Sequence, residues 1–407
     1  LSQPTVIVIG GGVIGAACAD ELARRGQSVT LIDRGAIGHG CSYGNAGWVT
    51  PCFALPLPQP GMFLKSIGWL LDPASPLYIQ PRPNWDLLCW LTRFLCSMNQ
   101  GHLHRSTAAL VELSKYSLAA YRELPGFTQK GLLMLAQTEA GLADAIAEMD
   151  LVAKFGIPGR RVDREQARQL EPALANSKFL GGVYFPEEAH VEPLATVNAL
   201  IARAQQHGAT ILPNTELFEF TRQDDRIAAI ETTHGPLRAE HFVLATGAWS
   251  GRVAKSLGRK LPMLSGKGYA VIVEPFTPKP AIPMMVIEKK LAITPRDDSV
   301  RFAGTLELVG LDESITARRV ETIYRGGQDF FGLTKPPGIR EVWRGLRPCT
   351  PDGVPFIGPM PEIANLTVAA GHQMLGLQTA PGTGRLVADL VTGTKPMFDP
   401  RPFRIDR

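Results

Sequence analysis

The chain has no C-x-x-C pair: Cys18, Cys41, Cys52, Cys89, Cys96 and Cys349 are scattered through 407 residues. That scatter argues against a zinc or iron–sulfur site within the chain, because such sites are built on closely spaced cysteines. Isolated thiols with apolar neighbours suit a reducing compartment. There is also no run of Lys or Arg, and 42 basic against 38 acidic residues leave a formal net charge of +4. Nucleic acid is therefore not an expected partner. No apolar run reaches the ~18 residues of a membrane span. Internal repeats and low-complexity tails are missing as well. The first apolar strand begins at Val6, so a signal peptide is not expected. A cytoplasmic protein is expected, either soluble or held peripherally on the inner face of the cell membrane. With 45% hydrophobic and 20% charged residues, the chain is long enough for two cores.

What is present is concentrated at the start. Val6-Ile7-Val8-Ile9 leads into Gly10-Gly11-Gly12-Val13-Ile14-Gly15, and Asp33 closes a second apolar run at 28–32. This is G-x-G-x-x-G between a buried parallel strand and an amphipathic helix over 13–25. Gly10 allows the tight turn, Gly12 lets backbone approach a pyrophosphate, and Gly15 lets the helix pack on the strand. The helix N-terminus then presents free N–H groups and its positive dipole end to the diphosphate. Asp33 stands where a carboxylate can accept from ribose hydroxyls. Strand, helix, second strand and acid in register predict a dinucleotide site.

Three stretches read as one discontinuous nucleotide-binding α/β domain: 1–58, 181–250 and 343–400. The second contains a helix at 193–206 followed by strands, and the third a strand at 366–370 and a helix over 383–390. Residues 59–180 and 251–342 have a different character and read as a second domain of antiparallel sheet and helices laid across the first. Within it, 63–71 is expected as a short amphipathic helix. The segment 86–98 is apolar on more than one face and should be buried or covered by a partner. Conventional amphipathic helices are expected at 106–124 and 138–155, alternating strands and turns at 268–310, and a helix at 313–331.

Four motifs resemble the FAD-dependent amine and amino-acid oxidoreductases of the D-amino-acid oxidase, glycine oxidase and D-amino-acid dehydrogenase group. The resemblance runs from Val6 to Thr392, nearly the whole chain. The N-terminal fingerprint, with Asp33 and the adjoining Arg34, is one motif. A second is Ser42-Tyr43-Gly44-Asn45-Ala46-Gly47, similar to the S-x-x-N-A-G turn of bacterial D-amino-acid dehydrogenases. A third is Ala245-Thr246-Gly247-Ala248-Trp249. The fourth is Gly345-Leu346-Arg347-Pro348-Cys349-Thr350-Pro351-Asp352-Gly353, with Gly371-His372-Gln373-Met374-Leu375-Gly376-Leu377 beyond it.

The resemblance implies a Rossmann-like FAD-binding domain. It implies FAD contacts from Gly10, Gly12, Gly15, Asp33, Arg34, Ser42, Asn45, Ala46, Gly47, Thr246, Gly247, Trp249, Gly371, Met374, Leu375, Gly376 and Leu377. It also implies that Arg347 pairs bidentately with a substrate carboxylate, which suits a planar fork of donors. Arg344 is its nearest competitor. Tyr269 in Lys267-Gly268-Tyr269 is expected to line the substrate pocket, and His372 to act near the flavin or to serve as a hydrogen-bonded structural residue. Asn45 is either a flavin contact or a simple turn residue. The family's usual glycine after the histidine is Gln373 here. The cysteine that carries FAD covalently in the sarcosine-oxidase branch corresponds to Gly345, so non-covalent FAD is expected.

The expected chemistry is hydride transfer from an amino or imino acid to the flavin, with no strong general base required. This agrees with the absence of a Ser-His-Asp pattern. Resemblance around residues 45–62 favours D-hydroxyproline or D-proline-like dehydrogenases, which pass electrons to a quinone or a partner subunit. The alternatives are an oxygen-using glycine, sarcosine or D-alanine oxidase, and a flavin-bearing electron-relay subunit. An intact Arg347 argues against the relay, which needs no carboxylate clamp.

Overall fold

The computed structural model describes residues 4–61, 77–79 and 85–407. The expected 63–71 helix falls outside them. Twenty strands, β1–β20 in chain order, build two large and two small sheets among the described residues. The first large sheet centres on β1 (Val6–Ile9), which pairs in parallel with β2 (Val29–Ile32) and β13 (His241–Leu244). Outside them lie β9 (Thr210–Leu212) and β20 (Leu366–Ala370), also parallel, and β19 (Phe356–Pro359) as an antiparallel edge. Both faces of this sheet are covered, so its strands read as near-continuous apolar runs. Successive residues alternate between two cores. Val6, Val8, Leu31 and Val243 face one core with the helices Val13–Arg24, Pro193–Gln206 and Gly376–Val391. Ile7, Ile9, Phe242 and Leu244 face the other. That second core is roofed by a small sheet of β10 (Leu217–Gln223), β11 (Arg226–Thr232) and β12 (Gly235–Leu237).

The C-terminal helix departs from the sequence expectation. Pro381 and its glycine neighbours suggest a start at 383, yet the helix begins at Gly376 and Pro381 lies inside it. A helical proline removes the N–H that would bond the carbonyl four residues earlier. Here that carbonyl, Leu377, accepts instead from the buried Tyr121 hydroxyl at 2.5 Å. Ser117 accepts from the next backbone donor, Gly382, at 2.9 Å. Both supports come from the helix Gln100–Tyr121.

The second large sheet runs β18 (Ile339–Cys349), β14 (Leu264–Val273), β17 (Val300–Leu308), β16 (Leu291–Pro295), β15 (Met284–Val286), β5 (Leu132–Ala136), β7 (Gly181–Phe185) and β6 (Arg160–Asp163), with β4 (Leu77–Ile79) alongside β17. One face packs on the helix Ala317–Phe331 through Tyr269, Val271 and Phe302. The opposite face, with Ala270, Ala292 and Ala303, turns toward Trp48 and Leu375 of the nucleotide-binding half. A two-stranded ladder of β3 (Trp48–Val49) and β8 (Ala189–His190) lies at this junction.

Chain continuity misplaces some segments. β7 and the C-terminal part of β18 fall in stretches expected to belong to the nucleotide-binding domain, but both pair in the second sheet. Conversely, Leu113, Leu118 and Tyr121 of the helix Gln100–Tyr121 enter the first core. Strand pairing and helix docking are non-local, and a linear sequence reading cannot see them.

The helix Trp85–Cys96 buries Trp90, whose Nε1 donates to the Cys349 carbonyl at 3.0 Å. Its outer side leaves Trp85 73%, Leu88 53% and Leu95 45% exposed, an apolar stripe at helical spacing. No described helix is long and apolar enough to cross a membrane.

Candidate active site

Because β1, β2 and β13 are parallel neighbours, their C-terminal ends lie side by side at one edge of the sheet. This is the side on which open α/β sheets take their ligands, in a crevice at the strand ends. Gly10 has φ +110° and Gly15 packs against its carbonyl, so neither position has room for a side chain. A Cβ on Gly12 would meet only Ser42 Oγ, at 3.4 Å, and that backbone stays open to the crevice. Asp33 does more than await a ribose. Its Oδ2 accepts from the Gly11 N–H at 2.7 Å and Oδ1 from Gly35 at 2.8 Å, which pins the glycine turn to β2. Each oxygen keeps a lone pair for a further donor. Arg34 is exposed, and its guanidinium lies 4.0 Å from the centre of the Trp249 ring, bridging the ends of β2 and β13 across β1. Beside Trp249, Gly247 takes φ +54° and the Thr246 hydroxyl lies 3.0 Å from Ser250 Oγ.

The Ser42–Gly47 turn is fastened from both sides. Ser42 Oγ accepts from the Val13 N–H at 3.0 Å, tying the turn to the first helix. Asn45 Oδ1 accepts from Gly47 at 2.9 Å, a local turn bond, and the Asn45 carbonyl accepts from Arg301 Nη1 at 2.6 Å. The Ala46 carbonyl accepts from Thr294 Oγ1 at 2.8 Å. Gly47 has φ +84° and abuts the Val191 carbonyl, so glycine is required there. Arg301 is buried, and its Nε has no hydrogen-bond partner. Sequence reasoning missed it, although a lone arginine between Val300 and Phe302 in an apolar strand was a usable signal.

Gly371 (φ +87°) turns the chain toward the last helix. Beyond it Met374 is exposed, Leu375 is the helix N-cap without a side-chain cap, and Gly376 and Leu377 form the first turn. The Leu377 side chain is core, so only its backbone can serve a ligand. His372 is buried with Nε2 3.0 Å from Thr383 Oγ1. Burial pushes it down to about 3, so it is neutral at ordinary pH. Gln373, in the position of the family's glycine, adopts φ +53°, the left-handed region that favours glycine.

Arg347 sits on β18, facing the nucleotide-binding half. Its Nη1 donates to the Thr305 carbonyl at 2.6 Å, and it makes no ion pair among the described residues. Thr305 has φ +63° and a buried hydroxyl without a partner. Such strain in a β-branched residue marks a position held by its surroundings. Arg344 points the other way and pairs with Glu313 at 3.1 Å. Tyr269 is corrected by strand alternation. It pairs with Arg344, whereas Gly266 pairs with Arg347 and Gly268 with Gly345, so Tyr269 lies on the face opposite Arg347. There its hydroxyl donates to Glu307 Oε2 at 2.7 Å in a buried polar cluster with Lys267 and Arg319.

Cofactor fit follows from these contacts. The open Gly12 backbone, the two helix N-termini without their own side-chain caps, and the small-residue turns form a cradle suited to a dinucleotide. Residues 5–390 match the FAD dependent oxidoreductase (DAO) family. A D-amino acid dehydrogenase of Methylobacterium radiotolerans is 34% identical over 96% of both chains, and one of Agrobacterium fabrum is 32% identical over 99% of both. Glycine oxidase from Geobacillus kaustophilus superposes with a TM-score of 0.77 at 27% identity, covering 100% of this chain and 99% of that one. The chain belongs to the DAO family of FAD-dependent oxidoreductases. FAD is its cofactor.

Proposed function

We propose that the protein is an FAD-dependent dehydrogenase of D-amino or imino acids, with D-hydroxyproline and D-proline-like donors favoured. The observation that carries this is Arg347, a guanidinium with no acidic partner among the described residues, on the face of β18 turned toward the FAD-binding half. Its planar fork holds the donor's carboxylate in two parallel hydrogen bonds and so fixes the direction of the Cα–H. Bound FAD supplies the acceptor for the Cα hydride. Arg344, already paired with Glu313, does not compete for the carboxylate. Neutral His372 anchors the last helix rather than moving a proton. Of the cofactor residues, Gly12 and the first-turn amides at Gly376 and Leu377 offer backbone donors, and Arg34 with Trp249 encloses the far end of the crevice.

Cys349 is buried and its thiol is pushed up to about 12 by burial, which leaves it a poor nucleophile and supports non-covalent FAD. Electrons pass to a quinone or a partner subunit. The apolar stripe Trp85, Leu88 and Leu95 supports a docked protein or a membrane surface at that helix.

The test is anaerobic addition of cis-4-hydroxy-D-proline, D-proline, D-alanine, sarcosine and glycine to the yellow holoenzyme. Rapid bleaching of the visible flavin band by the D-imino acids is the expected result. If no amino acid bleaches it, the dehydrogenase reading fails and an electron-relay role replaces it.

A further inference from the structure

Trp343 precedes the arginine motif by a few residues and no motif singles it out. On β18, Trp343, Gly345 and Arg347 alternate onto one face, opposite Ala270, Gly268 and Gly266 of β14. Two of these glycines lie under large side chains. A Cβ on Gly268 would collide with the Arg347 guanidinium, and a Cβ on Gly345 would collide with the six-membered ring of Trp343. Gly268 and Gly345 are directly paired, and such opposed positions stand about 5 Å apart. The guanidinium and the indole edge therefore lie side by side, both folded flat onto the sheet. The floor next to them continues as Ala270, Ala303 and Ala292, which share this face by register. A Cβ on Gly44 would also strike the indole, so the ring is pinned against the turn that binds FAD. Trp343 is only partly buried although it packs on the core around Ala270 and Ala303.

We propose that Trp343 is the specificity wall of the substrate pocket, against which the donor's side chain packs when Arg347 holds its carboxylate. This rests on the reading of Arg347 as the carboxylate clamp. With the carboxylate fixed, Cα lies one bond away, and a side chain of more than one carbon has the neighbouring indole as its nearest large apolar surface. An aromatic face flanked by glycine and alanine suits a flat or ring-shaped apolar group. A single methyl side chain reaches little of it.

The experiment uses the holoenzyme as wild type, Trp343→Ala and Trp343→Phe. Two quantities are read: kcat/KM for D-proline and for D-alanine with an artificial electron acceptor, and the affinities of pyrrole-2-carboxylate and acetate from perturbation of the flavin spectrum. In Trp343→Ala the D-proline to D-alanine ratio should fall about tenfold or more, the scale of lost apolar pocket contacts. Pyrrole-2-carboxylate should weaken while acetate does not, FAD content should be unchanged, and Trp343→Phe should recover most of the ratio. Equal loss for both substrates overturns the proposal, as does loss of FAD, which would make the indole a support of the cofactor turn. If the wild type oxidises no amino acid, the dehydrogenase reading fails alone, and the titration still decides. Unchanged pyrrole-2-carboxylate affinity in Trp343→Ala then overturns the wall, and absence of carboxylate binding to wild type overturns wall and clamp together.

Discussion

The Tyr121 hydroxyl donates to the Leu377 carbonyl at 2.5 Å, replacing the backbone donor that Pro381 lacks. The helix whose N-terminus faces the flavin crevice is thus held in register by a side chain on a neighbouring helix. Tyr121→Phe leaves a buried carbonyl without a partner, which costs about 1–3 kcal/mol. Urea unfolding should show that loss. Pro381→Ala restores an N–H four residues after Leu377, so Tyr121→Phe should cost markedly less in that background. An additive cycle would mean that the two residues do not share this carbonyl.

Arg347→Lys keeps the charge but loses the fork, and Arg347→Ala loses both. Truncating one side of a desolvated charge pair costs about 2–5 kcal/mol, or roughly thirtyfold to several thousandfold in kcat/KM. Both variants should retain FAD, because Arg347 bonds Thr305 rather than any of the cofactor turns. Arg344→Ala, altered on the opposite face, should stay within a few-fold of wild type. A larger loss in Arg344→Ala than in Arg347→Ala, measured by steady-state kinetics, would transfer the clamp to Arg344.

The nucleotide-binding half was legible because its signals are local. The glycine spacing, the buried runs at Val6–Ile9 and Val29–Ile32, and the helix Pro193–Gln206 each follow from a short window of sequence. The second sheet was legible only as alternating strands, since pairing β7 with β5 or β18 with β14 joins residues far apart in the chain. Tyr269 shows the consequence. Its motif neighbours are right, but which face it takes depends on registry with β18, and one residue of offset reverses it. Trp343 and Thr305 carried no signal, because one is visible through the glycines it covers and the other through its backbone angle. Gln373 departs from the family pattern in the sequence, and its left-handed backbone gives that departure a physical meaning.

At Gln373 the backbone is left-handed, with φ +53°. Truncating the side chain to alanine or to glycine removes the same amide, which lies 3.5 Å from Thr350 Oγ1. Only the alanine retains a Cβ at this angle, at a penalty of about 1–2 kcal/mol. Gln373→Gly should therefore be the more stable of the two by roughly 1 kcal/mol, the reverse of the order in a helix interior. Denaturant midpoints at matched FAD saturation check this. Alanine equal to or above glycine would mean that the turn relaxes out of the left-handed region.

Glu188 gives the fold a pH dependence of definite sign. Its Oε1 accepts from the Cys52 N–H at 3.0 Å, while Oε2 is buried without a partner. Burial raises its pKa from the ordinary 4.5 to about 8. Between those values the folded protein keeps a proton that the unfolded chain has lost, so stability falls as pH rises through that window and levels off above it. The slope is up to about 1.4 kcal/mol per pH unit. Glu148, raised by burial to about 7, adds in the same direction. The buried His372, held at about 3, acts oppositely: its contribution is lost as pH falls below the ordinary histidine range. Glu188→Gln keeps an acceptor for Cys52 and cannot ionise. His190 and His241, lowered by burial to about 4, act as His372 does, so the test is made above the ordinary histidine range. Urea midpoints from pH 7 to pH 8.5 should decline less steeply in the variant than in wild type, with Glu148 adding to the slope near pH 7. Parallel curves would show that Glu188 ionises in the folded protein as it does in the unfolded chain.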